Sequence, residues 1–169
     1  MILKRNEHRF NSPARVQQYT VTVCDFRAHP MEEVVPYSKS SLIFLDGILD
    51  EDEKYDYAES RTVCFLNILY ENNSLWPFDC FPDQWKIIDS EGYSHKRTLL
   101  DESIMEQLDF PVLHDSPLNP GRKLRAWIPF VIKKGRTPQF VSFTTLGKSI
   151  EIIIPQEYSV LLPMDGTGN

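Results

Sequence analysis

Between residues 16 and 154 the commonest pattern is alternation of apolar and polar positions, and the elements it predicts are strands. The first runs from Val16 to Asp25, where Tyr19, Val21 and Val23 alternate with Thr20, Thr22 and Cys24, so one face should be buried. A loop from Ala28 to Ser41, broken by Pro30 and Pro36, leads to a short apolar strand at Leu42–Leu45 that Asp46-Gly47 ends. Thr62–Tyr70 is apolar on both faces, with Val63, Phe65 and Leu69 on one and Cys64, Leu66, Ile68 and Tyr70 on the other, which predicts a central strand covered on both sides. Glu71-Asn72-Asn73-Ser74 ends it in a turn. Residues 75 to 84 crowd Leu75, Trp76, Phe78 and Phe81 around Pro77 and Pro82, a composition that predicts an aromatic-packed loop without regular pairing.

Trp85–Asp89 reads as the next strand, with Asp89-Ser90-Glu91-Gly92 as a hairpin turn into Tyr93. One helix is predicted, over 98–108, from the four-residue spacing of Leu100, Ile104 and Leu108 and the stop at Phe110-Pro111. Asn119-Pro120-Gly121 should turn the chain into a strand on which Leu124, Ala126, Ile128 and Phe130 share a face. Lys133-Lys134-Gly135-Arg136 follows as a loop, and Phe140–Thr144 and Ser149–Ile154 pair as a hairpin across Leu146-Gly147. Many short strands joined by close turns predict a mainly β protein, an antiparallel sandwich or a barrel. Residues 1–15 are read as a loosely held arm, 16–154 as a single domain and 155–169 as a tail.

Composition supports this picture and narrows the partners. Twelve prolines against seven glycines, with 12% aromatics, suit strands and rigid turns. A net charge of −6 argues against nucleic acid or anionic lipid as the main partner. The acids are concentrated from Asp46 to Glu59, with Asp50, Glu51, Asp52 and Glu53 consecutive, while 111–150 is basic. These read as a solvated loop and guarded strand edges, or as a polar contact surface. Neither a secretory h-region nor a transmembrane run is present, so the expected location of the chain as written is cytoplasmic, or exported if a leader precedes it.

Candidate chemistry is sparse. Three cysteines without a CxxC pair predict reduced thiols; Cys24 and Cys64 fall in strands, and Cys80 is expected to be the exposed one. His8, His29, His95 and His114 lack metal-ligand spacing, so no metal or other cofactor is expected. Thr145-Leu-Gly-Lys-Ser149 has the end of a phosphate loop without the helix that would make it one. Asn72-Asn73-Ser74 matches a glycosylation sequon. The acidic run has the carboxylate density for calcium but not the regular alternation of a calcium loop. The positive case is the aromatic segment: Trp76, Phe78, Phe81 and Trp85 either plug one end of the fold or dock a partner.

In order and spacing, residues 16–154 resemble the bacterial immunoglobulin-like domains of unknown function grouped with the mycobacterial secreted immunoprotective antigen. The resemblance is carried by Tyr19-Thr-Val-Thr-Val, Val63-Cys-Phe-Leu-Asn-Ile-Leu-Tyr-Glu-Asn-Asn, Trp85-Lys-Ile-Ile-Asp-Ser-Glu-Gly-Tyr, Leu118-Asn-Pro-Gly and Pro129-Phe-Val. It implies an immunoglobulin-like β-sandwich and no shared catalytic residues. The expected function is a non-catalytic module binding another protein, through Trp76, Phe78, Phe81 and Trp85 and through Asp50, Glu51, Asp52 and Glu53. A carbohydrate- or calcium-binding module and a hydrolase of unrecognised type are the alternatives.

Overall fold

A computed structural model of the chain describes residues 8–34, 57, 59–100, 105–106 and 108–159. Its strands are β1 (His8–Arg9), β2 (Ala14–Val16), β3 (Tyr19–Pro30), β4 (Arg61–Glu71), β5 (Phe78–Cys80), β6 (Trp85–Asp89), β7 (Ser94–Lys96), β8 (Ser116–Leu118), β9 (Lys123–Lys133), β10 (Pro138–Thr145) and β11 (Lys148–Ile153). They form a sheet ordered β1-β11-β10-β6-β7, a sheet ordered β2-β3-β4-β9, and a two-stranded ribbon of β5 and β8. Every pairing between named strands is antiparallel except β1 with β11. In the immunoglobulin scheme β3, β4 and β9 take positions A, B and E of one sheet; β6, β10 and β11 take C, F and G of the other.

The first strand is longer than its alternation suggests, and a bulge is the reason. Tyr19, Val21 and Val23 enter the core, and so do Phe26 and Ala28, which have the opposite parity. Val23 faces Ile68 while Asp25 faces Asn67, the next residue back along β4. Cys24 is therefore the extra residue of a β-bulge, and it resets the side-chain phase so that Phe26 points inward. Alternation fades at this point in the sequence, yet the strand runs on to Pro30, through the start of the expected loop. A single helical turn, α1 (Met31–Val34), follows it.

The central strand is as expected. Cys64, Leu66, Ile68 and Tyr70 of β4 enter the core between the sheets, while Val63 and Phe65 join Met31, Val34, Met105 and Trp127 in a second cluster on the other face. Burying side chains of this size contributes about 1.5–3 kcal/mol each, which is why both faces are covered. Leu124, Ala126, Ile128 and Phe130 of β9 share the core face as predicted. Pro129 sits where β9 is the outermost strand, a place where a missing N–H costs no ladder bond.

Two expectations change, and two more fall largely outside the described residues. Within residues 8–15, read as part of a loose arm, His8–Arg9 lies beside β11, and the strand opening at Ala14 lies beside β3, where Ala14 and Val16 bury their side chains. Residues 75–84 hold regular structure after all, since Phe78–Cys80 pairs with Ser116–Leu118 and Pro82–Gln84 forms a 3-10 turn. Of the helix expected over 98–108, residues 101–104 and 107 lie outside the described residues. Residues 97–100 have no regular structure, and Thr98 N donates to Pro129 O at 2.9 Å. The strand expected at Leu42–Leu45 also lies outside the described residues, as does the acidic run apart from Tyr57 and Glu59.

Candidate functional site

The segment joining β4 to β6 is organised by one side chain. Asn72 is fully buried, and its Nδ2 donates to Trp76 O at 2.9 Å and Leu118 O at 2.7 Å, while its Oδ1 accepts from Ser74 N at 3.0 Å. Its backbone N–H donates to Arg122 O and its carbonyl accepts from Gly121 N. One residue thus ties the end of β4 to the loop after it and to the turn before β9. Asn73 and Ser74 complete a sequon in the sequence, but the amide that would carry a glycan is already bonded on both sides.

Below this loop lies a buried polar chain among rings. Trp85 Nε1 donates to Tyr70 Oη at 2.8 Å, and Tyr70 Oη donates to Gln84 Oε1 at 2.5 Å. Burial pushes the Tyr70 hydroxyl well above its ordinary pKa, so it stays protonated as a donor. Trp85 packs against Phe143 with centroids 4.7 Å apart and meets Tyr70 edge-on at 5.9 Å. Tyr19 stacks on Phe78 at 4.0 Å and donates its hydroxyl to Asp79 O at 2.7 Å. The antibody-type pattern sets a strand-C tryptophan against a disulfide between strands B and F. Here rings from β4 and β10 hold that place.

The four aromatic candidates separate into two pairs. Phe78 and Trp85 are core residues that anchor the loop. Trp76 is 75% exposed, Phe81 lies at the exposed margin, and Leu75 is 87% exposed. Sequence alone does not sort plug from platform within this segment, because that depends on where Asn72 and the β5–β8 ribbon fix each ring. Asp50, Glu51, Asp52 and Glu53 lie outside the described residues.

The thiols correct another expectation. Cys80 is fully buried rather than exposed, and burial, assisted by the nearby Asp79 charge, pushes its pKa up to about 12, so it sits as a packed, protonated thiol. Burial raises Cys64 further, and Cys24, half-buried at the bulge, is also raised by burial against the opposing charge of Arg125. The three are free of disulfides.

At the opposite end, the turn after β6 closes on a buried carboxylate. Asp89 accepts from Glu91 N at 2.9 Å and Tyr93 N at 3.0 Å, with His95 Nε2 at 2.8 Å and Arg136 3.6 Å away. Burial alone would raise its pKa; the His95 bond and the two backbone donors outweigh that and hold it below the usual carboxylate range. The geometry is that of a braced hairpin. Among the described residues no group of three or more His, Cys, Asp or Glu side chains could hold a metal ion. Thr145-Leu-Gly-Lys-Ser149 is the β10–β11 turn itself, with no helix to receive a phosphate. A cleft of 350 Å³ beside the second cluster is lined mainly by Met105, Leu108, Phe110, Pro111, Val112 and His114. Asp109 at its wall accepts from Trp127 Nε1 at 2.9 Å.

These observations define an immunoglobulin-like β-sandwich whose distinctive surface is a loop end. More specifically, the chain belongs to the family described as a domain of unknown function (DUF4352), whose model matches residues 8–149. Among solved structures it is similar to the secreted protein MPT63 from Mycobacterium tuberculosis, at 10% identity and a TM-score of 0.56 over 88% of this chain and 95% of that one. It is also similar to the yjhA protein from Bacillus subtilis, at 10% identity and a TM-score of 0.53 over 88% of this chain and 99% of that one. A third likeness is to a putative lipoprotein (ycdA) from Bacillus subtilis, at 16% identity and a TM-score of 0.56 over 86% of this chain and 38% of the longer protein. No protein of curated function matches the chain. The expected family and fold are thus correct. No helix among the described residues is long and apolar enough to cross a membrane.

Proposed function

We propose that the domain is a non-catalytic interaction module that binds a protein partner through the loop between β4 and β6, with Trp76 as the anchor. The observation that carries this reading is the contrast inside that loop. Leu75 and Trp76 are 87% and 75% exposed, while the backbone beneath them is held by the buried amide of Asn72. Large apolar side chains in water contribute nothing to folding, and a backbone fixed in advance lowers the cost of ordering them on contact. Tryptophan is also the side chain most enriched at interface hot spots. The secreted and lipoprotein descriptions of two structural neighbours support a setting outside the cytoplasm for this contact.

The test pairs two substitutions. Trp76→Ala should leave stability within about 0.5 kcal/mol in a urea melt and abolish capture of the partner from the native host. Phe78→Ala should cost about 3–5 kcal/mol, because it empties a packed site. A Trp76→Ala protein that captures its partner as well as the wild type would sink the proposal.

A further inference from the structure

Four turns lie at the same end of the sandwich as the Trp76 loop or form part of it, and two of them hold an exposed non-glycine residue at positive φ, Gln17 and Leu146, of which only Leu146 is apolar. β4 ends at Glu71 opposite Lys123, the start of β9; β6 starts at Trp85 opposite Phe143, close to the end of β10. The Gln17-Gln18 turn, residues 72–84, the Asn119–Arg122 turn and the Leu146-Gly147 turn therefore share this end. Thr145 pairs with Lys148, so Leu146 and Gly147 form a two-residue hairpin loop, and their φ values are 49° and 74°. Such a turn favours Asn-Gly, since a side chain at positive φ is strained unless it is Asn, Asp or Gly. Leu146 is nonetheless there, and it is 71% exposed. Neither the backbone nor the core accounts for it, and strain kept without packing points to use.

Charge says what it would meet. Lys123 is paired with Glu71 at 3.6 Å and Asp83 with Arg97 at 3.5 Å. The exposed Arg15, Arg122 and Lys148 at this end make no ion pair among the described residues, and the one exposed acid without such a pair there is Asp79. Among the described residues this end is thus locally basic, on a chain of net charge −6. We infer that Leu146 is the second apolar anchor of the partner surface, and that the partner is a protein with an apolar socket bordered by carboxylates. The inference rests on the binding role proposed for the Trp76 loop and adds the β10–β11 turn and the basic rim to it. The overall negative charge disfavours an anionic bilayer, which the whole molecule would feel at long range.

The experiment places a photo-crosslinking amino acid at position 75, at 146, or at the remote Tyr93 position, in the full chain exposed to native-host extract. The expected result is one adduct of the same partner from 75 and from 146, none from 93, and about tenfold less adduct when Arg122→Glu and Lys148→Glu are combined. That difference should close in ~1 M salt, where exposed charges are screened. Leu146→Asn, which suits the turn and so will fold, should weaken capture as well. An adduct from 75 without one from 146 overturns this inference and leaves the Trp76 proposal standing; none from either position removes both. Unchanged capture after charge reversal overturns the carboxylate rim, and co-sedimentation with phosphatidylglycerol–phosphatidylcholine vesicles in place of a protein adduct overturns the choice of partner.

Discussion

Single side chains carry much of this fold because each satisfies several buried groups at once. Tyr70 is the middle of the chain from Trp85 to Gln84, so Tyr70→Phe orphans the buried Trp85 Nε1 donor and leaves Gln84 Oε1 with only its longer bond from Phe81 N. The expected loss is about 2–3 kcal/mol, read as a lower urea midpoint with an unchanged slope. Asn72→Asp is a sharper probe than alanine: it keeps the bonds from Ser74 but sets an anionic oxygen against the carbonyls of Trp76 and Leu118. Asp89 makes a pH prediction. Its folded-state pKa is lowered, so the stability it contributes is complete above its unfolded value of about 3.9 and is lost as pH falls through the folded-state value. Wild-type stability should therefore decline steeply below about pH 4, and Asp89→Asn, less stable at neutral pH, should have a flatter profile in that range. Parallel profiles would show that the carboxylate is not coupled to folding.

At the scale of elements, phase and turn chemistry decide what sequence can reveal. β4, β6, β9 and the β10–β11 hairpin were legible because their apolar or alternating runs are unbroken and bounded by turns such as Asn119-Pro120-Gly121. β3 was cut short because the bulge at Cys24 swaps the buried parity in mid-strand, which no period-two reading survives. The β5–β8 ribbon was invisible because its three-residue strands carry prolines at or beside them and pair across more than thirty positions of chain. The candidate site was half legible. Aromatic density marked the 75–85 segment, but exposure depends on contacts from Leu118 and Arg122, and Leu146 gave no signal until its φ was known. Two consequences can be tested. Deleting Cys24 keeps Val23 opposite Ile68 and Asp25 opposite Asn67, so the protein should still unfold cooperatively; loss of the folded state would refute the bulge assignment. Leu146→Asn should stabilise the protein by about 1 kcal/mol by relieving the left-handed strain, which makes the expected loss of binding separable from any loss of fold.

For the whole molecule, the question is whether a partner can add a strand or must meet the loops. β1, β2 and β7 are edges of two or three residues, too short to template another chain. β9 is long, but Pro111 O and Leu113 N bond Trp127 along its open side, Thr98 N takes Pro129 O, and Pro129 has no donor to offer. Covered and shortened edges leave the loop end as the better contact surface, provided that end is rigid. The thiols can measure this, because Cys80 lies in β5 within the candidate loop while Cys64 lies in the central strand. Both are fully buried with raised pKa values, whereas Cys24 is half-buried. A thiol reagent applied to the native protein should modify Cys24 first. Cys64 and Cys80 should then react together at the rate of global unfolding, and both should be immediate in denaturant. If Cys80 reacts well ahead of Cys64, the loop opens independently of the core, and Trp76 is not presented on a pre-formed platform. Equal protection would place the exposed apolar residues on the most stable part of the molecule, where their exposure has no structural explanation and a partner supplies one.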